Sequence, residues 1–170
     1  MVQAQDVMLE SAEAEHAPLL ANLLELYVHD LSEVFPIEVG ADGRFGYDRL
    51  PLYWREPERR FPFLIRANGR VVGFTLVTRG SPMTTDPADL DVAEFFVLRR
   101  YRRSGVGRRA AFQLWQRMPG HWIVRVSEGN RRALLFWHAI IAEYTGGSFA
   151  AQTRPGTPHA WSVLAFHSPP

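Results

Sequence analysis

Residues 97 to 110 read Val97-Leu98-Arg99-Arg100-Tyr101-Arg102-Arg103-Ser104-Gly105-Val106-Gly107-Arg108-Arg109-Ala110, between a predicted strand and a predicted helix. Gly105 and Gly107 carry no Cβ to keep backbone N–H groups from phosphate oxygens, and the free amides and dipole of a helix start favour negative charge. Six arginines within residues 99–109 add to that field. The stretch therefore reads as a phosphate cradle. Two rival readings use the same residues. Gly105 to Ala110 matches the G-x-G-x-x-G/A dinucleotide pattern, and Glu128 lies where a ribose-binding acid stands, although there the strand normally runs directly into the glycines. Here six residues separate Leu98 from Gly105. Nucleic-acid binding by the arginine run is the other rival. A net charge of +1 and sixteen acids in the first 98 residues argue against a broad basic surface.

Glu94 is the second chemically informative residue, a carboxylate in the apolar run Ala93-Glu94-Phe95-Phe96-Val97. Such a group costs stability unless it is solvated, paired or used, and general-base chemistry is one use. Arg125 is its counterpart in Ile123-Val124-Arg125-Val126, and an ion pair with Glu94 is the expectation. His121 and His138 read as ordinary packed or exposed histidines. Tyr27, Asp30 and Glu33 share one face at the end of a predicted helix, and Tyr47, Tyr53 and Trp54 follow in an irregular stretch. Aromatics and acids so grouped suit an amine-binding pocket.

Composition excludes other chemistries. With no cysteine there is no disulfide framework, cysteine-ligated metal or acyl-cysteine intermediate. All 19 basic residues are arginine, a skew attributed to a GC-rich bacterial genome, so a Schiff-base lysine and a P-loop lysine are also excluded. No metal is expected. Residues 1–98 carry net charge −8 and residues 99–170 net charge +9, which assigns an anionic ligand to the C-terminal half and a cationic one to the N-terminal half unless folding interleaves the two. No apolar run is long enough to span a membrane, and the N-terminal stretch lacks the basic flank and apolar core of a leader. Neither a membrane nor secretion is expected, and the cytoplasm is the expected compartment.

The elements that must position these residues read as one α/β domain over residues 1–170. A strand over 6–10 precedes a helix capped by Ser11 and ending near Asp30. Asn68-Gly69, between apolar runs 61–67 and 70–79, predicts a type I′ hairpin. A strand over 92–98, a helix over 105–118, a strand over 121–127 and a helix from Asn130 to about Tyr144 imply parallel pairing. Two last strands, 148–153 and 160–167, flank Pro155-Gly156-Thr157-Pro158.

Two blocks carry a resemblance to a known family. Arg102-Arg103-Ser104-Gly105-Val106-Gly107 resembles the R/Q-x-x-G-x-G/A pyrophosphate signature of the GNAT superfamily of acyl-CoA-dependent N-acyltransferases. Asn130-x-x-Ala133-x-x-Phe136-Trp137 resembles the pattern of that family's next helix, and the blocks span about residues 91 to 145. The resemblance implies a mixed sheet with antiparallel N-terminal strands, a splayed central parallel pair and flanking helices. It implies acetyl-CoA as cosubstrate, with Val97 pairing its pantetheine arm, and Arg102, Arg103, Gly105, Gly107 and Arg108 around its pyrophosphate. Asn130 and Trp137 would line the same channel, Glu94 and Asn130 would serve catalysis, and Tyr27, Asp30, Glu33 and Trp54 would meet the acceptor. The expected reaction is direct acetyl transfer to a primary amine of a small molecule or peptide. A homodimer is compatible with this reading. Trp137 stands where the family often has a tyrosine that protonates the departing thiolate, and indole cannot do so. That departure motivates the rival reading of a non-catalytic acyl-CoA-binding regulatory protein.

Overall fold

The computed structural model describes residues 6–170; the first five residues of the stretch read for a leader lie outside them. Seven strands form one mixed sheet, β1 (Val7–Ser11), β2 (Arg60–Ala67), β3 (Arg70–Arg79), β4 (Leu90–Val97), β5 (Gly120–Ser127), β6 (Ala150–Arg154) and β7 (Trp161–Ser168), in the order β1-β2-β3-β4-β5-β7-β6. Helices α1 (Ala17–Leu31) and α2 (Leu52–Arg55) cover one face, and α3 (Val106–Arg117) and α4 (Arg131–Thr145) the other. None of these helices is long and apolar enough to cross a membrane.

The β2–β3 hairpin turns on Asn68 (φ 49°) and Gly69 (φ 76°), the two positive angles that a type I′ turn needs. Ser11 is not a helix cap. It ends β1 opposite Phe63, and Glu13 and His16 form a capping box on a short 3-10 turn that leads into α1. Pairing with β2 satisfies the backbone of Ser11 and displaces the start of the helix to Ala17.

The central strands set the geometry of the site. β4 and β5 are parallel and pair only at Leu90–Trp122 and Asp91–Ile123, after which they diverge. On its other edge β4 is antiparallel to β3, and there the register skips Ala93, with Leu76 opposite Glu94 and Val77 opposite Val92. A bulge inverts the alternation of side chains and bends the strand. Before it, Leu90 and Val92 join the core beneath α3 and α4; after it, Phe95 and Val97 do so. Asp91 and Glu94, three residues apart, consequently share the α1 and α2 face, a juxtaposition that unbroken alternation forbids. Close approach of β3 supports the bend, because a Cβ on Gly73 would lie 2.1 Å from the Phe96 carbonyl oxygen.

Candidate active site

Glu94 sits at the floor of a cavity of about 210 Å³ on the α1 and α2 face, lined among others by Tyr47, Tyr53, Thr78, Ala93 and Arg125. Its carboxylate is held from both sides: Tyr27 Oη donates to Oε2 at 2.6 Å and Tyr47 Oη to Oε1 at 2.8 Å. Burial pushes the Glu94 carboxyl above its ordinary value, against the two phenol hydrogen bonds and the nearby Arg125 guanidinium. Burial, reinforced by the Glu94 charge, also raises Tyr27 and Tyr47 far above the ordinary phenol range, and Tyr53 to about 12. The two phenols bonded to Glu94 therefore stay protonated and act as donors that orient it.

The loop after α1 brings Tyr47 to this position. Glu25 on α1 accepts the backbone N–H groups of Phe45 and Gly46, both at 2.8 Å, which ties the loop to the helix just before Tyr47. Those two amides, followed by Arg44, lower the Glu25 carboxyl below its ordinary value.

Arg125 does not pair directly with Glu94, as the sequence suggested. Its Nε donates to Asp91 at 3.1 and 3.2 Å, and Asp91, fully buried, also accepts from Ser81 Oγ. The bulge at Ala93 decides this partner, since it carries Asp91 onto the face where β5 presents Arg125. Burial alone would lower Arg125, but Asp91 and Glu94 outweigh it and raise the guanidinium further. Asp91 and Ser81 are the residues that sequence reasoning missed; Asp91 carries the same signal as Glu94, a carboxylate in an apolar strand.

The other acceptor candidates scatter. Asp30 is tied by Arg99 and Arg102, so its charge is neutralised by the arginine loop. Burial pushes the Asp30 carboxyl up, yet the hydrogen bonds from Arg102 and Arg99 prevail and hold it below its ordinary value. Glu33 is exposed beyond α1, and Trp54 turns its indole N–H to the Ala12 carbonyl at 2.9 Å; neither lines the Glu94 cavity.

Across the splay lies the glycine loop. Gly105 caps α3 with φ 81°, and the first bond of the helical ladder runs from Arg109 N–H to Gly105 O. The N–H groups of Gly105, Val106, Gly107 and Arg108 are thus outside the ladder and available to an anion. The two glycines answer different demands. A Cβ on Gly105 would meet nothing closer than the Arg109 guanidine at 3.9 Å, so its requirement is the left-handed backbone; a Cβ on Gly107 would press on the Phe136 ring at 3.1 Å, so its requirement is the contact with α4.

Arg108 pairs with Glu143 and lies over Phe112, which leaves its backbone amide facing the loop. Arg103, at φ 58°, is exposed. Arg102 Nε donates to the Val97 carbonyl at 2.7 Å and its guanidinium covers Phe96. Leu98 N–H bonds Val72 on β3, so by strand alternation Val97 turns its backbone toward the gap between β4 and β5. On α4, Asn130 Oδ1 accepts from Ala133 N–H at 3.1 Å as an N-cap. Trp137, 7% exposed, packs edge-on against Phe95 and Phe136, each at 5.0 Å between ring centres. Tyr144 bonds Ser168 at 2.8 Å at the far end of α4. A larger depression of about 570 Å³ opens beside Tyr144, His167 and Pro170, and neither Glu94 nor the glycine loop lines it.

The chain is similar over almost its full length to solved acetyltransferases. An acetyltransferase from Thermus thermophilus is 16% identical with a TM-score of 0.70, covering 98% of this chain and 99% of the other. An aminoglycoside acetyltransferase solved with coenzyme A is 17% identical, covering 95% of each chain at a TM-score of 0.67. A spermidine N-acetyltransferase from Vibrio cholerae, solved with CoA and spermine, is 11% identical, covering 95% of each at 0.64. A search of the curated proteins finds no significant match. The profile of the Acetyltransferase (GNAT) family matches residues 20–140, a span that holds most of α1, the bulged strand β4, the glycine loop and Asn130, and the chain belongs to that family.

Proposed function

We propose that this protein transfers acetyl from acetyl-CoA to a primary amine by direct attack, with Glu94 as the base. The observation that carries this reading is the Glu94 carboxylate, held by two phenols on one side of the splay, with unpaired helix-start amides on the other. Acetyl-CoA supplies the activated thioester. The amides of Gly105, Val106, Gly107 and Arg108 hold its pyrophosphate, the Val97 backbone aligns the pantetheine, and Asn130 keeps the start of α4 in place along the channel. A thiol ester crossing the gap between β4 and β5 then points toward the α1 and α2 face, from which the amine enters.

The ammonium gives its proton to Glu94, directly or through one water, and the freed amine forms the C–N bond as the C–S bond breaks, its second proton passing to solvent as the amide forms. A raised Glu94 carboxyl matches the base to neutral pH better than an ordinary one does. No side chain of acidic strength stands at Trp137, so the departing thiolate takes its proton from solvent. Positioning of both partners supplies most of the acceleration.

The test is a titration with acetyl-CoA followed by a search for acetylated amine. Acetyl-CoA raises the melting temperature and NADH does not. Thiol release requires an amine, and mass spectrometry of the protein during turnover finds no acetylated side chain. Binding without thiol release across a broad amine panel establishes the regulatory reading instead.

Trp137 has a defined part in this scheme, as a wall of the pantetheine channel. Trp137→Phe keeps an aromatic ring against Phe95 and is expected to retain most of kcat while losing about 1–3 kcal/mol of stability, read by chemical denaturation. A collapse of kcat with unchanged acetyl-CoA affinity assigns a specific task to the indole N–H.

A further inference from the structure

Folding reverses the charge distribution that the sequence suggested. The Glu94 cavity lies largely within the acidic half of the chain, yet Arg49, Arg59, Arg60, Arg79 and Arg125 line it, with Glu56 and Glu94 as the lining carboxylates. Two of these arginines are committed: Arg60 Nε pairs with Glu56 at 2.7 Å, and Arg125 with Asp91. Arg49, Arg59 and Arg79 have no carboxylate within ion-pairing distance among the described residues. Arg79 is only braced, over the Phe61 ring and toward the Ala88 carbonyl. Its backbone N–H bonds the Arg59 carbonyl at 2.7 Å, so Arg79 lines the cavity through its main chain while its guanidinium turns to the face of Phe61; the Arg59 guanidinium lies beside Gly80, at the rim.

Gathered like charges repel, and a site keeps them where a ligand of opposite charge removes the repulsion. The floor of the same cavity offers the complementary feature, a carboxylate. A cationic rim above an anionic floor matches a zwitterion, and it opposes the entry of a polycation. Volume points the same way, because about 210 Å³ lies below the range of roughly 300–1,000 Å³ that holds drug-sized ligands.

Resting on the acetyl-transfer reading above, we propose that the acceptor is a small amine that also bears an anionic group, carboxylate or phosphate, taken by Arg49 and Arg59 while its ammonium meets Glu94. The class is that of amino acids and phosphorylated amines. Spermidine and aminoglycosides, the substrates named for two of the structural neighbours, carry the wrong charge for this mouth.

Paired acceptors test it. Thiol release is measured for β-alanine against its methyl ester, and for phosphoethanolamine against ethanolamine, with spermidine, kanamycin and short peptides beside them. Binding of the same amines to the protein saturated with CoA is measured by calorimetry. At least one acidic member is expected to exceed its uncharged partner about tenfold or more in kcat/KM and in affinity, the value of one lost ionic hydrogen bond. The pair that shows the preference identifies carboxylate or phosphate. That preference falls with added salt and falls toward unity in Arg49→Gln and Arg59→Gln, while their melting temperatures and CoA titrations stay unchanged.

Equal use of acid and ester, better use of spermidine or kanamycin, or turnover of peptide N-termini alone overturns the proposal. If no amine releases thiol, the acetyl-transfer reading fails, and the calorimetric comparison decides this one: acidic amines bound preferentially sustain it, and no such preference overturns it.

Discussion

Glu94→Gln is expected to lower kcat/KM for the acceptor by about 10²–10⁴-fold, the contribution of a positioned general base, while the acetyl-CoA titration is unchanged. Glutamine keeps the size of the side chain and accepts from one of the two phenols, so the cavity survives and the proton acceptor does not. The pH profile separates this from a loss of shape. In the wild type the base works once deprotonated, so kcat/KM rises with pH through a carboxyl value that burial has moved above the ordinary 4.5. The variant lacks that limb.

Stability moves in the opposite sense. A carboxyl raised in the folded state favours the protonated form there, so its contribution to stability is fully present below the unfolded value and is lost as pH rises through the folded value. The melting temperature of Glu94→Gln relative to wild type should therefore climb across that window and level off above it. A variant whose activity matches wild type at every pH makes Glu94 a structural residue held by Tyr27 and Tyr47.

The difference between what was legible in the sequence and what was not follows from the range of the interactions. Asn68-Gly69 announced its hairpin because the two residues alone determine the turn, and Asn130 announced a helix because its side chain caps a backbone amide three residues away. The glycine loop was legible for the same local reason, although its two glycines turned out to serve backbone conformation and helix contact separately. Ser11 misled because the strand partner that claims it, Phe63, lies 52 residues away. The bulge at Ala93 has no local signature, and it alone moves Asp91 to the face of Glu94 and so changes the partner of Arg125. Asp30 lies 72 residues from Arg102, and only the fold turned an acid that suited an amine into the counter-ion of the arginine loop. Charge counted along the chain failed likewise, because the first hairpin strand and the segment before it deliver Arg49, Arg59 and Arg60 to one cavity.

Gly105→Glu is expected to abolish the acetyl-CoA-induced rise in melting temperature and all turnover. Its backbone stands at φ 81°, where any side chain is strained by roughly 1–2 kcal/mol. The larger effect is electrostatic. The carboxylate would project beside the four N–H groups that open α3 and occupy the field that a pyrophosphate needs, repelling it at short range. Gly105→Ala separates the two contributions, since it keeps the strain and adds no charge; its Cβ meets only the Arg109 guanidine at 3.9 Å, so it should bind acetyl-CoA more weakly than wild type but measurably. Gly107→Ala fails differently. Its methyl group presses on Phe136 and loosens α3 against α4, so it should lower stability without ligand, whereas Gly105→Glu reveals itself chiefly by the missing response to ligand. A normal acetyl-CoA response in Gly105→Glu places the pyrophosphate away from the amides of residues 105–108 and removes the loop from the mechanism.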